Sequence, residues 1–268
     1  MGIIEWAVQG WLGFWTAIGG FFAGIGNFFV QFGLDFWKIF VEANGWLSLL
    51  KGLGNTLLIS LGAVVLGVVL GVLIAMVRST YDKNREVYRL QGGFKARLFR
   101  FLNGLCHVYL TVVRGTPVMV QLLLMYLVIL VNVRSATVVA IIAFGINSGA
   151  YVAEIIRSGI MAVDHGQFEA GRSLGFSYMQ TMFYIVIPQA FKKVLPTLCS
   201  EFIVLLKETS VAGYVGVTDL NKAGEILRTN TYNIYMPLLL VAAIYLGVVM
   251  LLTFLVGKLE KRLRKNER

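Results

Sequence analysis

From Asn55 to Val77 the chain runs for 23 residues without a charged side chain and closes on Arg78. In helical form that length covers the roughly 30 Å of a bilayer's hydrocarbon core. The run is continuously apolar rather than alternating, so it predicts a membrane-spanning helix and not a barrel strand. Thr56, Ser60, Ala63, Gly67, Gly71 and Ala75 recur at intervals of three or four, placing small side chains on one face where another helix can come close. Further spans are predicted from Pro117 to Val133, from Ala136 to about Ile156, from about Leu195 to Val217 and from Tyr235 to Val256. Five spans, 57% hydrophobic residues and a mean hydropathy of +0.75 predict an all-α, polytopic transmembrane bundle. Trp11 to Phe32 is also uncharged; it is read either as an extra span or as an interfacial helix, and both readings stay open.

Charge orients the bundle. Arg78 to Arg100 holds seven basic and two acidic residues, Arg157 to Lys193 four and two, and Lys258 to Arg268 six and two. With the whole chain at +10, the rest of the sequence carries one net negative charge. Five spans put those three segments on one side, which the positive-inside rule marks as cytoplasmic. The positive charge therefore marks the cytoplasmic face, and nucleic-acid binding is the poorer explanation. The expected location is a bacterial plasma (inner) membrane with the C-terminus in the cytoplasm. The expected organisation is an apolar, aromatic extension over residues 1–50, a transmembrane domain over 51–260, and a basic tail over 261–268.

Cys106, Cys199, His107 and His165 have no metal-site spacing, so no metal centre and no disulfide framework is expected. No basic region precedes the first apolar run, so a cleaved signal peptide is not expected. A membrane enzyme would need converging catalytic groups, and two scattered histidines without an intramembrane aspartate pair do not supply them. No catalytic residue is assigned.

Residues 164–189 are too polar for a span and too organised for a linker. Glu169 to Leu174 favour helix, Gly175 breaks it, and Tyr178 to Val186 form a second short helix predicted to stop at Pro188. An acidic residue near a helix start interacts well with the helix dipole, which is the purely structural account of Glu169. A separate amphipathic elbow is expected over Arg97 to Val113, ended by the Arg114, Gly115, Thr116, Pro117 break.

Glu169, Ala170 and Gly171, then Gly175, Ile185, Ile187 and Pro188, resemble the EAA loop of ATP-binding cassette importer permeases. Gly171 stands where that family usually has alanine, and Ile187 where leucine is common. Gly54–Asn55–Thr56, the stretch Tyr109 to Gln121 around its RGTP sequence, Ser148 to Gly159 and Leu205 to Ser210 look like motifs of the polar amino acid branch. Order and spacing agree from about residue 52 to 258.

The resemblance implies a type I permease fold that carries polar amino acids inward. It implies coupling to a separate ATPase through Glu169, Ala170, Gly171, Gly175 and Pro188. The implied partners are a second permease, identical or related, two ATPase subunits and an extracytoplasmic amino acid-binding protein. ATP and magnesium would belong to the ATPase, since this chain has no GxxxxGK[ST] loop and no cofactor of its own is expected.

Polar groups inside spans are costly, which makes them candidates for the translocation path. Asn147, Tyr151, Glu154 and Ser158 fall on one stripe of the third core helix, and Arg114 and Thr116 lie at a boundary. Glu154 is read equally as a ligand for a substrate's ammonium and as a structural partner of Arg157. Lys207 and Glu208 are read as an ion pair at a subunit interface or gate. A secondary carrier or channel using Glu154 and Lys207 for ion coupling is the alternative function, but it leaves the polar segment 164–189 without a task.

Overall fold

The computed structural model describes residues 2–42, 44–83 and 93–265. The middle of the first basic segment, residues 84–92, and the last three residues of the tail lie outside the described residues. The described chain is helical, with no strands. Its elements are α1 (Gly2–Trp37), α2 (Gly45–Lys83), α3 (Phe94–Gly115), α4 (Val118–Leu124), α5 (Ala136–Met161), α6 (Gly166–Ser173), α7 (Tyr178–Thr181), α8 (Ile187–Glu208), α9 (Leu220–Thr231) and α10 (Met236–Lys265). Wider π-turns follow α1, α4 and α7, and a 3-10 segment, Thr209–Val215, follows α8.

The bundle is built on α2 and α5, which run in the same direction against each other. The predicted small face is what brings them together: Thr56, Ser60, Ala63, Gly67, Gly71 and Ala75 are all buried. A Cβ on Gly71 would lie 2.5 Å from Val152 and 2.9 Å from the Ala153 backbone nitrogen. On Gly67 it would lie 2.9 Å from Ser148 Oγ. Phe144, Ala140 and Ala143 of α5 then pack with Ile59, Leu122 and Leu205 in the central core. With lipid as apolar as leucine, such close packing is the main cohesive force available to a membrane bundle.

The predicted helix boundaries shift. The helix expected to open near Asn55 begins ten residues earlier, at Gly45, because Leu49 packs with Leu220, Ala223 and Leu227 of α9 and keeps the chain helical past Lys51. Asn55 and Thr56 instead hold the turn before α9: Asn55 Nδ2 donates to Thr218 O at 2.8 Å, and Thr56 Oγ1 accepts from Leu220 N at 3.0 Å. The predicted domain limits at residues 50 and 260 fall inside α2 and α10.

The span expected from Pro117 to Val133 is short, ending in a π-turn at Ile129. The elbow before it is a full 22-residue helix, α3, joined to α4 by a bend of 109°. Pro117 enforces that bend, and the residue before it is held extended. Gln121 Nε2 braces it by donating to Val113 O, Thr116 O and Thr116 Oγ1 at 2.7, 3.0 and 2.7 Å.

The fourth span is α8, which starts at Ile187, not near Leu195, and gives way to 3-10 geometry at Thr209. Lys192, Lys193, Glu201, Lys207 and Glu208 lower its hydropathy, and it is absent from the helices that qualify as spans on that measure. It nevertheless traverses the bundle. Ala190 and Val194 contact the end of α5, and Thr209 Oγ1 comes within 3.4 Å of Ser60 Oγ near the opposite end of α2.

Candidate functional site

At the end of the bundle where α2 and α5 finish, residues 164–189 fold into a helical knob. Asp164 Oδ1 accepts from Gly166 N at 2.7 Å at the start of α6. Gly175 then adopts φ +81°, and two bonds close the turn: Gly175 N donates to Arg172 O at 2.9 Å and Phe176 N to Gly171 O at 3.0 Å. This pair is a Schellman ending, which needs a residue at ease in the left-handed region. Ser177 immediately starts α7 with a capping box, Gln180 N donating to Ser177 Oγ at 3.3 Å and Ser177 N to Gln180 Oε1 at 2.8 Å. One helix is ended and the next begun within three residues, which fixes the angle between them.

Gly171 has its own reason to lack a side chain. A Cβ there would lie 2.6 Å from Thr181 Cγ2, where α6 crosses α7. The predicted stop at Pro188 does not occur. Met182–Val186 widen into a π-turn and α8 continues from Ile187, with Pro188 in its first turn, where the missing N–H removes no needed bond. The knob stands on an apolar base of Ile160, Val163, Met182, Val186 and Ala190, packed with Phe168 and Tyr178.

The outer face of the knob is left open. Leu174 is 73% exposed, Tyr184 73%, Met179 57% and Phe183 54%, beside the exposed Ala170, Arg172 and Glu169. Glu169 lies in the first turn of α6, and its Oε1 is 3.5 Å from His165 Nδ1. Large apolar groups interleaved with charge are wrong for hydrocarbon and wasteful in water, and suit a protein partner.

One layer deeper lies a charged cluster. Arg157 Nε donates to both Glu154 oxygens at 3.2 Å, and Nη1 reaches Asp82 Oδ2 of α2 at 3.3 Å. Arg78 Nη1 approaches Glu154 Oε2 at 3.8 Å. The structural account of Glu154 is thereby realised, while its exposed edge still faces a cleft of about 400 Å³. That cleft is lined by Arg114, Tyr151, Glu154, Ser158, Lys193 and Thr197, and the Arg114 guanidinium lies 5.5 Å from the centre of the Tyr151 ring. Lys83, next to Asp82, stacks its ammonium 3.2 Å from the Phe168 ring centre, so the last turn of α2 touches both the knob and the cluster.

The predicted stripe therefore divides. Tyr151, Glu154 and Ser158 share the cleft with Arg114, whereas Asn147 is buried and donates to Gln121 Oε1 at 3.0 Å. Thr116 is bonded to the same Gln121, so Asn147 and Thr116 brace the α3–α4 bend. Lys207 is exposed and Glu208 half-buried at the far end of α8. Among the described residues no ion pair joins them, so the predicted pairing is absent within one chain. Sequence reasoning passed over Glu201, a half-buried carboxylate in the middle of α8, one turn beyond Thr197 of the cleft. Its signal was available as an acidic residue within a predicted span. Among the described residues no group of three or more potential ligands forms a metal site.

A helical membrane bundle with a polar cleft and an exposed helical knob has the form of a membrane transport subunit. The chain belongs to the family of binding-protein-dependent transport system inner membrane components, whose model matches residues 90–265. It is 37% identical over 220 residues to the Rickettsia bellii protein named for glutamine transport, GlnP, covering 81% of this chain and 93% of the relative. It is 32% identical to the arginine transport system permease protein ArtQ of Bacillus subtilis, covering 82% and 94%. A crystal structure of an amino acid ABC transporter with histidines superposes with a TM-score of 0.71 at 35% identity, covering 84% of this chain and 98% of that one. The chain is thus a permease component of an ABC transport system, a transport subunit rather than an enzyme.

Proposed function

We propose that this permease imports polar amino acids and is driven through residues 164–189 by an ATPase subunit that docks on the knob. The observation that carries this reading is the exposed face of Leu174, Met179, Phe183 and Tyr184 beside Glu169, on a turn fixed by Gly175. Glu169 pairs there with a basic group of the ATPase, and the apolar residues fill its cleft. The excess of basic residues in the three segments supports a cytoplasmic position for the knob and the C-terminus. ATP and magnesium are held by the two ATPase subunits, and an extracytoplasmic binding protein delivers the solute to the opposite face. Two permeases, alike or related, enclose the path, with Lys207 and Glu208 at their junction or gate.

An amino acid carries both charges, and the cleft offers both complements: Arg114 for the carboxylate and Glu154 for the ammonium or a cationic side chain, with Glu201 one helical turn beyond Thr197 of its lining. The relatives named for glutamine and arginine transport support a polar amino acid as cargo. Closure of the ATPase pair shifts the knob; Lys83 and Phe168 pass that shift to α2, and Asp82, Arg157 and Glu154 pass it to the cleft. The test is ATP hydrolysis by the purified complex with the cognate binding protein. Glu169→Arg abolishes binding-protein stimulation if the reading is right, and stimulation at the wild-type level refutes the docking assignment.

A further inference from the structure

Helix α1 lies outside the family-matched residues 90–265, and its C-terminal end meets the bundle. There Asn233 Nδ2 donates to Asp35 Oδ2 at 2.9 Å, Gln31 Nε2 donates to Asp35 Oδ1 at 3.1 Å, and Ile39 is buried beneath Gly45. Cβ atoms added at Gly13, Gly20, Gly24 and Gly26 would meet no atom within 4 Å, and Phe21, Phe22, Phe28 and Phe29 are each more than 60% exposed.

We propose that α1 is an additional membrane span appended to the five-span core, with its N-terminal end on the side of the docking knob and its flanks covered by lipid. Three features separate this from a helix lying in the interface.

The first is the absence of a charged face. No charged residue occurs between Glu5 and Asp35. At 100° per residue, large apolar side chains cover about two-thirds of the circumference. The remaining strip is glycine with Thr16, Asn27 and Gln31, whereas an interfacial helix presents a strongly polar, usually basic face. Against the one central amide, Asn27, stand ten Ile, Leu, Val and Phe residues between Trp15 and Trp37.

The second is the spacing of the tryptophans. Trp15 and Trp37 are separated by about 33 Å of helix, close to the hydrocarbon thickness, which puts one at each interface where such rings gather. Trp46, Tyr232 and Tyr235, all exposed, mark the same level as Trp37 on the bundle itself. The third is continuity: the exposed Leu246, Met250, Leu251, Phe254 and Leu255 of α10 present an equally apolar flank beside the one α1 leaves open.

Polarity follows from connectivity. Because α1 ends where α2 begins and α2 runs toward the knob, α1 must run away from it.

The test is cysteine labelling with a membrane-impermeant maleimide in right-side-out spheroplasts and inverted vesicles, on the full chain in a Cys106→Ser/Cys199→Ser background. Leu174→Cys reports the knob side and Ile234→Cys the opposite side. Glu5→Cys is expected to label with Leu174→Cys and not with Ile234→Cys, and Gly24→Cys to label from neither side in intact membranes. An epitope tag at the N-terminus, probed by protease in the same preparations, reads the same side without a substitution in α1. Labelling of Glu5→Cys, or cleavage of the tag, on the Ile234 side overturns the proposal, as does ready labelling of Gly24→Cys. Oxidative cross-linking of Gly24→Cys to a second copy or another protein overturns the assignment of lipid as its cover. None of these outcomes depends on the cargo, and the N-terminal tag reads the side even where an ATPase subunit covers Leu174.

Discussion

Replacing Gly175 isolates the contribution of one backbone angle to energy coupling. Its φ of +81° lies in the left-handed region, and nothing stands within 4 Å of where a Cβ would point. An alanine there meets no steric obstacle beyond its own backbone, so its cost is the left-handed penalty of an L-residue, about 1–2 kcal/mol. That corresponds to roughly a 5- to 30-fold loss in the fraction of knobs holding the turn, against any conformer that frees the two closing bonds. Asparagine tolerates this region and should largely keep the turn, while valine, β-branched, should lose more than alanine. The assay is binding-protein-stimulated ATP hydrolysis by the reconstituted complex, normalised to its unstimulated rate. The expected order is glycine, asparagine, alanine, valine, with alanine reduced several-fold. Equal activity across the series, or an equal fall in asparagine and alanine, refutes the reasoning, since backbone angle would then not be the determinant.

The remaining predictions address packing, charge and capping. Gly71→Val drives a branched side chain into Val152 and the α5 backbone and should cost about 1–3 kcal/mol, seen as a lowered Tm in detergent, whereas Gly54→Val, with open space around it, should not. Arg157→Met leaves Glu154 and Asp82 without their shared partner; the group is about a quarter exposed, so the loss should be near 1–2 kcal/mol, below the figure for a fully buried pair, with a larger effect on coupled uptake than on complex assembly. Asp219 caps α9 through Lys222 N and Asn221 N, so Asp219→Ala should cost about 1 kcal/mol of stability. Burial holds the Asp219 carboxyl above its ordinary range despite those bonds. A folded pKa raised above the unfolded value means that its contribution is most favourable below the unfolded value, about 4, and is lost as pH rises through the folded one. Asp219→Asn should keep the cap and flatten that part of the Tm–pH profile.

Features written as local spacing survived best in passing from sequence to structure. The small residues of α2 recur at helical intervals, so their shared face could be read directly, and the glycine turn of the knob was legible because Gly175 meets a local steric demand. Features set by tertiary contact were not legible. Pro188 looks like a stop, but packing of Val186 and Ala190 beneath the knob carries the helix through by widening the preceding turn. Asn147 falls on the path stripe by spacing, and its bond to Gln121, 26 positions away, could not be read from the sequence. The charges of α8 obscure a traversing helix because hydropathy sums over all faces, whereas Glu201 is turned partly inward. Lys207 and Glu208 do not pair with each other within one chain because neighbours in a helix point about 100° apart.

Whether this permease is powered through its knob is tested most directly by uptake into proteoliposomes holding the complete complex, with the binding protein outside and ATP inside. Radiolabelled arginine and glutamine should accumulate only with ATP and binding protein together, and Glu169→Arg should stop accumulation while the ATPase subunits still hydrolyse ATP at the unstimulated rate. Accumulation driven by an ion gradient in vesicles containing this chain alone would contradict the account.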